Sequence, residues 1–162
     1  MQAEMGGAPV PPLTGADDAE VRLAFSATPI AVRQALAAIM RDLRPLRLEH
    51  EERGTVELVL AEVLNNVVEH AYGAQGGWVD VQCQRAPDGL WVRIRDRGDP
   101  MPEGEIPLGD LADGRNAMID MPEGGFGWFI IRDIARDIDY RREGGENILT
   151  FRIAVGMALR VG

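Results

Sequence analysis

The sequence contains no lysine; all 17 of its basic residues are arginine. That absence excludes a P-loop nucleotidase, which grips phosphate with a lysine, and a protein kinase of the usual eukaryotic architecture, which needs a strand lysine. It equally excludes a pyridoxal-phosphate enzyme, which needs a Schiff-base lysine. Cysteine is nearly as scarce. Cys83 stands alone, so neither an intrachain disulfide nor a Cys-rich zinc site can form. No apolar run approaches the roughly 20 residues that cross a bilayer. The N-terminus is polar and rich in Pro and Gly, unlike the apolar segment of a signal peptide. A cytoplasmic protein of a reducing compartment, away from the membrane, is the expectation. Basic residues are also in the minority, 17 against 26 acidic, for a net charge of −9. A chain this acidic is a poor candidate for gripping nucleic-acid phosphates.

What is present fits one domain: 162 residues, 46% of them hydrophobic, enough to build a core. Residues 1–19, rich in Ala, Gly and Pro, are expected to be poorly ordered. Val21, Leu23 and Phe25 alternate with Arg22 and Ala24, the period of a half-buried strand. Thr28-Pro29 reads as a helix start, a capping hydroxyl before proline at the first helical position. Val32, Leu36, Ile39, Met40 and Leu43 follow at helical spacing and stop before Pro45. A polar connector over 47–54, holding His50, leads to a second helix over about 55–71, ended by Gly73, Gly76 and Gly77. His70 is expected to pack at the end of that helix. Two alternating runs, Val79–Cys83 and Leu90–Ile94, flank Pro87-Asp88-Gly89 and predict a hairpin. Residues 99–123 read as one long loop, a length that points to function or disorder. Gly124-Gly125-Phe126-Gly127 opens a third helix carrying Ile130, Ile131, Ile134 and Ile138. A last hairpin turns at Glu143-Gly144-Gly145-Glu146, with Leu149, Phe151 and Ile153 inward. Hairpins mixed with helices predict an α+β two-layer sandwich, a mixed, mostly antiparallel sheet against about three helices.

Three local patterns each have a plain reading that is the simpler one taken alone (a solvated helix face, a strand-end turn, a loop hinge) and a chemical one. On the second helix, with Glu62 at 0° and about 100° per residue, Asn66 falls at about +40° and Val56, Val59, Leu60, Val63 and Val67 between about +60° and +160°. Glu62 and Asn66 therefore border the apolar stripe, and asparagine is a weak helix former for an ordinary solvated face. A carboxylate and an amide oxygen one turn apart can serve one site, and Mg²⁺ takes oxygen ligands. Asp96-Arg97-Gly98 closes a predicted strand, where a plain turn is the simpler reading. Gly124-Gly125-Phe126-Gly127 opens a helix, where bare backbone N–H groups can face a phosphate.

Glu62-x-x-x-Asn66, Asp96-x-Gly98, a long loop and Gly125-x-Gly127, in that order, resemble the Bergerat-fold (GHKL, histidine-kinase-like) ATP-binding family over about residues 20–153. Within it, LVLAEVLNNVVEHAYG, PEGGFGWFIIRDIARDIDYRREGGENILTF and FSATPIAVRQALAAI are similar to the anti-sigma-factor serine kinases. The resemblance implies an ATP-binding domain over 20–155 and a tail over 156–162. It implies Glu62 as general base, Asn66 as Mg²⁺ ligand, Asp96 as acceptor for the adenine amino group and Gly98 as a close backbone approach to the base. Residues 99–123 would be an ATP lid, and Gly125 and Gly127 would cradle phosphates. With no lysine in the chain, the positive charge is left to Mg²⁺, backbone N–H groups and, as a candidate, Arg115, although a lone loop arginine is more often solvated.

The implied activity is phosphorylation of a small anti-sigma-factor antagonist on serine, with sequestration of a sigma factor, the chain acting as a homodimer. Two positions depart from the family pattern: Pro100 stands where a second glycine often follows Asp96-x-Gly98, and Glu123 precedes the second glycine cluster. The alternatives are an ATPase of the same fold and a nucleotide-responsive binding module. His50-Glu51-Glu52-Arg53 superficially resembles a phosphoacceptor box, which would need a helical hairpin around it.

Overall fold

The structure is a computed structural model and describes residues 21–72, 76–101 and 125–156. Five strands, β1 (Val21–Ser26), β2 (Trp78–Ala86), β3 (Gly89–Asp96), β4 (Arg136–Glu143) and β5 (Glu146–Ile153), form one sheet in the order β1-β2-β3-β5-β4. All four pairings are antiparallel. Helices α1 (Pro29–Asp42), α2 (His50–Asn66) and α3 (Gly125–Ile134) lie on one face, with α2 packed against both α1 and α3. This is the α+β two-layer sandwich that the element pattern predicts. No helix among the described residues is long and apolar enough to cross a membrane.

Alternation decides which face the helices cover. Val79, Val81 and Cys83 of β2, Leu90, Val92 and Ile94 of β3, and Leu149, Phe151 and Ile153 of β5 are all buried against Val56, Val59, Leu60, Val63 and Leu64 of α2, Ile39 of α1 and Ile131 of α3. Each such side chain withdrawn from water contributes about 1.5–3 kcal/mol. Cys83, wholly enclosed here, has its thiol pushed up to about 12 by burial, so it is an inert core residue. The other face mixes buried polar residues, Asp80, Gln82 and Thr150, with buried Trp91 and Ile148, and Arg95 lies 3.4 Å from Asp80. Asp96 and Asn147 are the exceptions on the helix side. Their two-residue spacing from Ile94 and Leu149 puts them in the apolar rows, at the last pairing of the β3–β5 ladder.

Local signals explain most boundaries. Thr28 Oγ1 accepts from Ala31 N at 3.1 Å and Pro29 opens α1, as expected. The last hairpin turns through Gly144 and Gly145, both at positive φ (56° and 80°). Two boundaries differ from expectation. α2 begins at His50 rather than near residue 55, because Glu52 Oε1 accepts from Glu49 N at 3.0 Å and starts the helix with a capping box; His50 is exposed on its first turn. α3 stops at Ile134, four residues short of Ile138, because the Arg136 guanidinium covers the final carbonyls of Asp133, Ile134 and Ala135 at 3.0–3.3 Å. Ile138 lies on β4 and still packs against the core, so the apolar rhythm runs on after the helix has ended.

α2 does not end cleanly either. It runs into a π-helical segment, Val67–Tyr72. His70 is exposed there, beside Glu69, rather than packed.

Candidate functional site

α2 and α3 bring two of the three patterns together. Asn66 is buried, with 7% of its surface exposed, while Glu62 one turn earlier is half-buried and Asn65 points outward. The border position read from the helical period is thus the observed one. Gly127, in the first turn of α3, lies directly on the pair: a Cβ there would stand 2.7 Å from Glu62 Oε2 and 3.2 Å from Asn66 Nδ2. A Cβ at this position would have to displace the end of the Glu62 side chain and press on the Asn66 amide. Among the described residues the buried Asn66 Nδ2 has no hydrogen-bond partner. An unpartnered buried amide is costly unless a ligand completes it.

The arrangement suits a phosphate chain and its counter-ion. Gly125 and Gly127 put bare backbone at the N-terminus of a ten-residue helix, where unpaired N–H groups and the helix dipole favour an anion. The Asn66 amide offers an oxygen to a hard cation and N–H donors to phosphate. Among the described residues no three His, Cys, Asp or Glu side chains gather as a metal-binding group, and the Asn66 amide is the oxygen donor beside Glu62 at this site.

The third pattern forms a separate corner at the end of β3. Asp96 is 4% exposed, and its Oδ1 accepts from Gly98 N at 2.9 Å and from Asn147 Nδ2 at 2.8 Å. Among the described residues no hydrogen bond reaches Oδ2, which leaves one charged acceptor for a ligand's N–H. Burial raises the Asp96 pKa above its ordinary 3.8; the hydrogen bonds from Asn147 and Gly98 and the charge of Arg142 oppose the rise.

Asn147 was not singled out by the sequence, and it organises this corner. Its Nδ2 also donates to Asp99 O at 2.9 Å and Gly98 O at 3.3 Å, and its Oδ1 accepts from Tyr140 Oη at 2.6 Å and Arg142 at 2.8 Å. Tyr140 Oη accepts from Met101 N at 3.0 Å, and Arg142 donates to Gly98 O at 2.9 Å. The backbone from Gly98 to Met101 is thereby tied to β4 and β5. The one signal available was an Asn in the place of an inward apolar residue, two before Leu149. Pro100, where a glycine often stands, is exposed and leaves these ties intact. Arg115, Glu123 and most of the proposed lid lie outside the described residues.

No curated protein gives a significant match to the chain. The profile of the family described as "Histidine kinase-like ATPase domain" matches residues 25–153, which is most of the chain and spans Glu62, Asn66, Asp96, Gly98, Gly125 and Gly127. By that match, this chain belongs to the histidine kinase-like ATPase domain family.

Proposed function

We propose that the chain binds Mg²⁺-ATP and acts as an anti-sigma-factor-like serine protein kinase. Family membership supports ATP binding. The observation that carries the site assignment is the seating of Gly127 on the Glu62–Asn66 pair, with a buried amide that has no partner among the described residues. In this reading the adenine amino group donates to Asp96 Oδ2, and Gly98 allows the base to lie against the chain. The phosphates would meet the N–H groups that open α3, and Asn66 would hold the cation. Bound Mg²⁺ would supply charge neutralisation across the β- and γ-phosphates.

Glu62 is the base. Its carboxylate takes the proton from a serine hydroxyl of the partner as the serine Oγ bonds to the γ-phosphorus and the bond to the β–γ bridging oxygen breaks. ADP and phosphoserine are the products. The proposed protein substrate is a small anti-sigma-factor antagonist, and the proposed sequestered partner is a sigma factor. β1 lies at one edge of the sheet, which leaves a row of backbone groups for a second copy to pair with, the basis for proposing a homodimer.

The deciding experiment incubates the protein with γ-labelled ATP, with and without a small antagonist encoded by a neighbouring gene. Label on an antagonist serine is the expected result. Label in free phosphate makes the chain an ATPase of the same fold, and bound but unhydrolysed ATP makes it a nucleotide-responsive binding module.

A further inference from the structure

The Glu62–Asn66 pair and the Asp96 corner sit on different elements, and one side chain links them. Tyr72 ends the π-helical extension of α2. Its hydroxyl donates to Trp78 O at 2.7 Å and accepts from Arg97 N at 2.6 Å. Arg97 is the middle residue of the Asp96-Arg97-Gly98 turn, so a phenol from the phosphate-site helix is bonded to the backbone of the proposed adenine site. We propose that Tyr72 is a positioning residue for nucleotide binding, which fixes the Asp96–Gly98 turn relative to α2. The inference rests on the ATP-binding reading above.

Three further observations support it. Continued at α spacing, Tyr72 would emerge about 80° from Glu62, on the side away from the apolar stripe. The π-helical winding resets that direction, and Tyr72 packs half-buried against the core. Gly77 is shaped to the ring, since a Cβ there would collide with it. Burial also raises the phenol above its ordinary 10.0, which preserves the proton that Trp78 O accepts. The Arg97 side chain is held independently, 5.7 Å over the Trp78 ring and 3.3 Å from Glu146 Oε2. Removing the hydroxyl therefore frees the Arg97 amide without releasing the guanidinium.

The test is a double-mutant cycle on ATP affinity by calorimetry, at a temperature where every variant is folded. Tyr72→Phe keeps the ring and loses the hydroxyl; it is expected to weaken ATP binding about three- to tenfold. In an Asp96→Asn background the same change is expected to add less than about twofold, because both act through one turn. Gly77→Ala crowds the ring while keeping the hydroxyl, and is expected to reproduce the ATP loss. Unchanged ATP affinity in folded Tyr72→Phe overturns the proposal, and so do fully additive losses with Asp96→Asn, the result of a merely structural role. Wild-type protein that binds no ATP removes the underlying reading itself, a failure visible before any variant is made.

Discussion

Asp96 and Asn147 face each other across the β3–β5 ladder, and the Asn147 amide donates to the Asp96 carboxylate at 2.8 Å in a corner where both are at least 95% buried. The contact makes a buried carboxylate tolerable and at the same time ties down the chain that follows it. Asn147→Ala leaves Asp96 with one donor fewer and cuts the bonds to Gly98 and Asp99. Stability is expected to fall by about 1–3 kcal/mol, the penalty of an under-satisfied buried polar group. ATP affinity falls with it. Urea unfolding beside calorimetric titration measures both, and a variant as stable as wild type would show that the network is incidental.

Asp96 also gives the protein a pH dependence of known sign. Its pKa is raised in the folded state, chiefly by burial, so the folded protein holds this proton to a higher pH than the unfolded chain does. The associated stability is fully present below the ordinary 3.8 and is lost as pH rises through the folded value. At neutral pH, Asp96→Asn removes the cost of the buried charge. The variant is expected to melt above wild type there, and the gap closes on acidification. Thermal melts across pH 3–8 check it (roughly the span over which a perturbed carboxylate titrates). A gap independent of pH would contradict the assignment.

The same substitution has the opposite effect on ligand. ATP affinity is expected to drop about ten- to a hundredfold in Asp96→Asn, the worth of a hydrogen bond to a charged group, and the preference for ATP over GTP disappears with it. Wild-type protein that binds the two nucleotides equally would remove Asp96 from the adenine site.

The fold was largely legible because its signals are local. Thr28-Pro29 starts a helix wherever it stands, and alternating Val79, Val81 and Cys83 need a sheet to bury them. The position of Glu62 and Asn66 at the edge of the apolar stripe followed from the helical period alone. What was missed depends on contacts between distant segments. Asn147 is one polar residue in a strand until β3 places Asp96 beside it, 51 residues away in sequence. Arg136 ends α3 with a side chain, and apolar periodicity carries no trace of that. The π winding before Tyr72 is not written in the apolar period, and the partners of the Tyr72 ring and hydroxyl, Gly77 and Arg97, lie further along the sequence.

Gly127 tests the meeting of α2 and α3. Alanine is a better helix former than glycine by about 1 kcal/mol, so on propensity alone Gly127→Ala stabilises α3. Here the new methyl would press on Glu62 Oε2 and Asn66 Nδ2. The expected outcome is loss of most ATP binding with the fold retained. Circular dichroism beside titration separates the two effects, and a stabilised variant with full ATP affinity would mean that α3 and the pair do not share a ligand.

Glu62 and Asn66 are expected to fail in different ways. Glu62→Gln keeps the shape of the side chain and loses its basicity, so phosphoryl transfer should slow by about 10²–10⁴-fold while ATP affinity holds within about threefold. Asn66→Ala removes a side chain that is buried, placed against Gly127 and, among the described residues, without a partner at Nδ2, so ATP affinity and turnover should fall together. Two polar residues on a merely solvated helix face would tolerate either change within about 0.5 kcal/mol. Phosphate incorporation into the antagonist, run beside nucleotide titration for each variant, distinguishes these outcomes. Transfer at the wild-type rate by Glu62→Gln would end the general-base assignment. ATP binding that survives intact in Asn66→Ala would end the assignment of the cation to this helix.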